Sequence, residues 1–125
     1  MQKHILIIGP AESGKTKLAN EIAADYSFAK NEVCFLNMRQ KRTIPNFFFD
    51  ECTKETKLVI IDEIKSIDQL QNFYYITAGV KVDKPAQSSF TIYPRLILVS
   101  ESITESDIPS DASFNRRFDV IKLTN

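Results

Sequence analysis

The chain of 125 residues has no tryptophan, a single histidine and only three glycines, so little in it suits a loop-rich or metal-clustered scaffold. Its two cysteines, Cys34 and Cys52, stand in apolar surroundings without C-x-x-C spacing. They read as buried reduced thiols, and no zinc site is expected. Sixteen basic residues balance sixteen acidic ones, so no bulk field draws the protein to nucleic acid or an anionic membrane. No apolar run approaches the ~18 residues of a membrane-spanning helix. Lys3 and His4 lead straight into a strand rather than a signal peptide, and the expected setting is cytoplasmic. His4 itself reads as a strand-entrance residue without a role. At this length one domain, residues 1–125, is expected, burying roughly two thirds of its unfolded surface.

What the chain does have is Gly9-Pro10-Ala11-Glu12-Ser13-Gly14-Lys15-Thr16, placed between the apolar run Ile5-Leu6-Ile7-Ile8 and an amphipathic segment. A strand, a glycine loop and a helix in that order are the context in which G-x-x-x-x-G-K-[ST] means phosphate binding. The glycines permit backbone angles and close approaches that a Cβ would block. Successive N–H groups can then turn inward at a helix N-terminus to form an anion nest. Lys15 adds a mobile charge for the β- and γ-phosphates, and the Thr16 hydroxyl can ligate Mg²⁺. The expected nucleotide contacts run through Gly9, Pro10, Ala11, Glu12, Ser13, Gly14, Lys15, Thr16 and Lys17. This stretch resembles the phosphate loop of P-loop NTPases.

Leu18, Ile22 and Tyr26, with Ala19 and Ala23 beside them, predict a helix over Lys15 to Tyr26. Val33–Asn37 reads as a second strand. Met38 to Thr43, with Arg39, Lys41 and Arg42, reads as a solvated loop, and Pro45 suits the first turn of a helix. Phe47, Phe48 and Phe49 cannot share one helical face, so some must cover a neighbouring element or a partner chain. Leu58-Val59-Ile60-Ile61-Asp62-Glu63 is a buried strand tipped with two acids, and in open α/β sheets that tip faces the ligand crevice. Asp62 would hold Mg²⁺, mostly through water, and Glu63 would polarise the attacking water. Ser66 or Asp68 would cap a helix over Gln69 to Ala78, closed by Gly79 at C′. Val80–Lys84 and Phe90–Tyr93 suggest a hairpin or an extended excursion. Leu96–Ser100 is another buried strand, and Asp119–Leu123 a closing one after the polar stretch 102–113. Five strands with helices between them predict a three-layer α/β/α sandwich built on a mostly parallel sheet.

The motif order, from Ile5 to Leu123, resembles the AAA+ ATPases and, within them, the superfamily 3 helicases of small viral replication proteins. It rests on the glycine loop, Asp62-Glu63, Gly79 with the hairpin, the Pro94–Ser100 strand, and Arg116-Arg117-Phe118. The adjacent acids resemble the Walker B element of that class. The resemblance implies a magnesium-dependent ATPase core that works as a homo-oligomer. It implies a polar sensor at the end of the strand before the arginines, usually Asn and here Ser100. It also implies an arginine finger at Arg116 or Arg117, reaching a nucleotide held by a neighbouring subunit. The alternative for both arginines is pairing with surface acids such as Asp111 or Asp119. In such helicases the hairpin carries a lysine to single-stranded DNA; Lys81 and Lys84 match, and a solvated hairpin is the other reading. Family members generally continue into a helical lid, which is not expected here because the chain stops at Asn125. Two other functions stay open: a P-loop kinase of a small molecule, and a nucleotide-binding module without significant hydrolysis.

Overall fold

A computed structural model describes residues 3–38 and 48–124. In chain order the elements are β1 (His4–Ile8), α1 (Lys15–Asp25), β2 (Val33–Asn37), β3 (Leu58–Asp62), α2 (Ile67–Asn72), β4 (Val80–Val82), β5 (Phe90–Ile92), β6 (Arg95–Ser100), α3 (Ala112–Arg117) and β7 (Phe118–Lys122). Five strands form one sheet in the order β2-β3-β6-β1-β7, and each neighbouring pair is parallel. β4 and β5 pair antiparallel as a separate hairpin.

Uninterrupted apolar runs suit strands covered on both faces. Every residue of β1 is buried, as are four of the five in β3 and five of the six in β6. Ile5, Ile7, Ile60, Ile97 and Val99 point to one face, where Ala19, Leu18 and Ile22 of α1 meet them. Leu6, Ile8, Val59, Ile61, Leu96 and Leu98 point to the other, against Leu70, Phe73, Ile76 and Phe114 and the hairpin's Val80, Val82 and Ile92. The expected three layers are present, the second of them assembled from short helices and a hairpin.

Several local expectations shift. The helix placed over Gln69 to Ala78 breaks into α2 and a 3₁₀ turn, Tyr75–Ala78. Ser66 is the cap, its Oγ accepting the Gln69 N–H at 3.2 Å. Farther on, the Thr77 N–H and Oγ1 both donate to the Tyr74 carbonyl, at 3.2 and 2.6 Å, which tightens the chain at the expense of the α-helical pattern. Gly79 adopts φ 149°, ψ 145° rather than the left-handed helical angles of a C′ glycine. The stretch before the closing strand holds α3, capped by the Asp111 carboxylate on the Phe114 N–H at 2.7 Å. Residues 39–47 lie outside the described residues, and with them most of the expected loop, Pro45 and Phe47. Phe48 and Phe49 lie in a turn, with Phe48 against Phe73 at 6.5 Å between centroids, so a neighbouring element takes them up.

His4 is placed more firmly than a strand entrance requires. It is buried, its Nε2 donates to the Thr77 carbonyl at 2.9 Å and its Nδ1 accepts the Leu96 N–H at 2.9 Å. Burial, partly countered by the Thr77 bond, holds its pKa below the ordinary imidazole value.

Candidate functional site

Parallel pairing brings the C-terminal ends of all five strands to one edge, and the loops after β1 and β3 meet there. The two glycines of the first loop act for different reasons. A Cβ on Gly9 would stand 2.8 Å from the Leu123 carbonyl and 2.8 Å from Ser13 Oγ, so the close approach of the chain beyond β7 demands a glycine. Around Gly14 the space is open, but φ 91°, ψ 21° is a left-handed conformation. Gly14 is the N-cap of α1 and offers no side chain, and the first turn carries no acid. The positive end of the helix and its unbonded N–H groups are left for an external anion. Lys15, only 8% exposed, folds over its own loop and donates to the Pro10 carbonyl at 2.5 Å.

At the tip of β3, both oxygens of Asp62 are engaged. Oδ2 accepts the Thr16 hydroxyl at 3.0 Å and Oδ1 accepts the Glu63 N–H at 2.7 Å. Thr16 follows β1 and Asp62 ends β3, two strands separated in the sheet by β6, so their meeting depends on the tertiary fold. Glu63 has φ 59°, uncommon for a residue with a Cβ, and leaves the strand direction at once. The Ile64 N–H then returns to the sheet through the Val99 carbonyl at 3.1 Å. Lys15, Thr16, Asp62 and Glu63 line a common cavity of about 300 Å³. Hard oxygen donors beside a lysine and free helix N–H groups fit a triphosphate with a small divalent cation.

Of the expected sensor and finger residues, none lines this cavity. Ser100 is fully buried; its Oγ donates to the Ile64 carbonyl and accepts the Ile103 N–H at 3.1 Å. That hydroxyl ties β6 to the turn beyond Glu63. The next residue, Glu101, is exposed and lines the cavity instead. Sequence reasoning missed it, although Ser100-Glu101 ends a buried strand as Asp62-Glu63 does. Glu101 also borders a larger, mainly apolar hollow of about 700 Å³ between Gly9, Pro10, Ile103 and Leu123.

The arginines lie at the far edge. Phe118 is in register with His4 at the start of β1, so Arg116 and Arg117 are separated from their own glycine loop by about 13 Å of strand. The Arg117 guanidinium donates to the Ser113 carbonyl at 2.9 Å and covers the Tyr74 ring at 5.6 Å, while Arg116 is exposed. Neither of the acids expected as partners takes them: Asp111 caps α3 and Asp119 lies 3.7 Å from Lys3. In the hairpin, Lys81 is exposed and stands 3.9 Å from Asp83.

Residues 1–89 match the family model described as an AAA domain. The chain belongs to the AAA family. As a P-loop domain of the AAA+ class it is similar to the replication factor C large subunit of Methanococcus maripaludis, 32% identical over 92 residues. It is 28% identical over 120 residues to that of Methanococcus vannielii, covering 87% of this chain. The AAA domain spans about a fifth to a quarter of those relatives' length (19% and 24%). Among solved structures it is similar to JCV Helicase, with TM-score 0.65 at 18% identity, covering 98% of this chain and 36% of that one. The C-terminal region of NrS-1 gives TM-score 0.61 at 12% identity, covering 98% and 29%. These likenesses concern the fold. Among the described residues no helix is long and apolar enough to cross a membrane.

Proposed function

We propose that residues 1–125 form one AAA domain that binds ATP with Mg²⁺ and hydrolyses it, in an assembly where one copy completes the site of the next. The observation that carries this is the Thr16 hydroxyl held 3.0 Å from the Asp62 carboxylate at the mouth of the glycine loop. A metal bound there would neutralise charge on the β- and γ-phosphates. Gly14 and the open first turn of α1 hold the phosphate oxygens through backbone N–H groups. Lys15 exchanges the Pro10 carbonyl for those oxygens. Glu63 takes the proton of the attacking water as general base. Ser100 acts as a positioning residue, because its hydroxyl fixes the turn that carries Glu63. Arg116 is the better finger, since it is exposed while Arg117 is folded onto Ser113 and Tyr74. Neither reaches its own loop, which leaves a neighbouring site as the target.

The test is phosphate release measured across a range of protein concentrations. Turnover per molecule should rise with concentration. Lys15→Ala and Glu63→Gln should each lose about 10²-fold or more, and Arg116→Ala about 10³-fold. Equal turnover at all concentrations, untouched by either arginine, rules out the shared site. Absence of heat on titrating Mg-ATP rules out the whole proposal. The similarity to replication factor C and to a helicase supports action on nucleic acid.

A further inference from the structure

The edge of the sheet opposite the glycine loop holds a further cavity of about 320 Å³. It lies where β1 and β6 begin, beside the end of α1 and the exit of the hairpin. His4, Tyr26, Phe28, Lys57, Tyr93 and Arg95 line it, and its wall carries no carboxylate among the described residues. The rings of Tyr26 and Phe28 stack at 4.9 Å, 7° from parallel. A cation stands by each: Arg95 lies 5.7 Å from the centre of Tyr26, and Lys57 lies 5.8 Å from that of Phe28. Arg95 is fixed further by donating to the Tyr26 hydroxyl and, through Nε, to the Lys3 carbonyl at 2.8 Å. Lys57 pairs with Glu32 at 2.6 Å, and its side chain is the more exposed of the two. On the rim Tyr93 is 78% exposed, the most open large hydrophobic side chain among the described residues.

One edge of the Tyr93 ring runs along Gly79, where an added Cβ would come within 3.0 Å of it, and most of the ring is left to solvent. Set beside two cations on a stacked aromatic pair, it offers what a nucleotide unit of a single strand requires. A base can stack on the free ring while its phosphates meet the guanidinium and the ammonium. The chain's net charge is zero, so recognition would rest on this local grouping rather than on a bulk field.

We propose that this cavity is a docking site for single-stranded nucleic acid, with Tyr93 stacking a base and Lys57 and Arg95 contacting the adjoining phosphates. The proposal deepens the nucleic-acid part of the function above and places the strand on the edge remote from the ATP site, rather than on the hairpin lysines.

The experiment is a fluorescence-anisotropy titration of labelled oligothymidylate with the full chain, without ATP, so that it judges this surface separately from hydrolysis. Tyr93→Ala should weaken binding by about tenfold or more and Tyr93→Phe should retain it, as stacking requires. Lys57→Gln should weaken binding too. Two phosphate contacts should make the logarithmic salt slope about −1.4. Unfolding midpoints of each variant, read by circular dichroism, show that a loss does not come from misfolding. Lack of oligothymidylate binding by the unaltered chain would overturn the proposal. So would unchanged affinity in a folded Tyr93→Ala, loss on Lys81→Ala and Lys84→Ala alone, or competition by polyglutamate as effective as by unlabelled oligothymidylate.

Discussion

Gly9 and Gly14 occupy equivalent places in the motif and differ in what they would suffer on substitution. At Gly9 a methyl meets a backbone carbonyl and Ser13, so Gly9→Ala forces the chain after β7 away and costs about 1–3 kcal/mol. At Gly14 the same methyl meets open space and only the left-handed angle resists it, at about 1 kcal/mol. Thermal unfolding should therefore show the larger fall in Tm for Gly9→Ala. His4 supplies a pH dependence. Its folded pKa is depressed by burial, so below the ordinary value of about 6.5 the unfolded chain binds more protons than the folded one. Its contribution to stability is complete above about pH 6.5 and declines as the pH falls, and urea midpoints should follow; His4→Gln should flatten that part of the profile. Lys15, Thr16, Asp62 and Glu63 were legible because their chemistry is written in consecutive residues. The choice between Ser100 and Glu101 was not. A strand buried on both faces has no alternation, and only tertiary contacts decide which tip residue turns inward.

Elements divide along a similar line. The sheet strands were legible from uninterrupted apolar runs, with β2 at its expected bounds and β7 displaced by one residue. The second layer was less so, because α2 and α3 have six residues each, too few for a helical period to show. Packing holds α3 in place: Phe114 stacks on Phe118 at 5.2 Å, and Tyr74 approaches both rings at 6.2 and 6.0 Å. Its start depends on Asp111, whose carboxylate holds the Phe114 N–H. Asp111→Ala should cost about 1 kcal/mol in equilibrium unfolding. If Arg116 acts on a neighbour, the same change should lower concentration-dependent turnover more than turnover at high dilution.

For the whole molecule, chain order and spatial order part company. β6 is inserted between β1 and β3, which no local pattern announces, yet it sets the spacing across which Thr16 meets Asp62. The thiols report on this assembly from outside the site. Cys34 in β2 and Cys52 before β3 are both buried, and the hydrogen bond to Cys34 together with burial pushes the Cys52 thiol well up. Both should react slowly with Ellman's reagent in the native protein and rapidly in denaturant. Native-state rates should rise for any variant that loosens the β2 edge.

The close contact of Leu123 with Gly9 has a practical corollary. Leu123 stands beside the glycine loop, whereas Lys3 precedes the start of β1 at the opposite rim. An affinity tag appended at the carboxyl end would start near the glycine loop, while one at the amino end would start from the opposite rim. Nucleotide-binding and phosphate-release assays should begin with amino-terminal fusions.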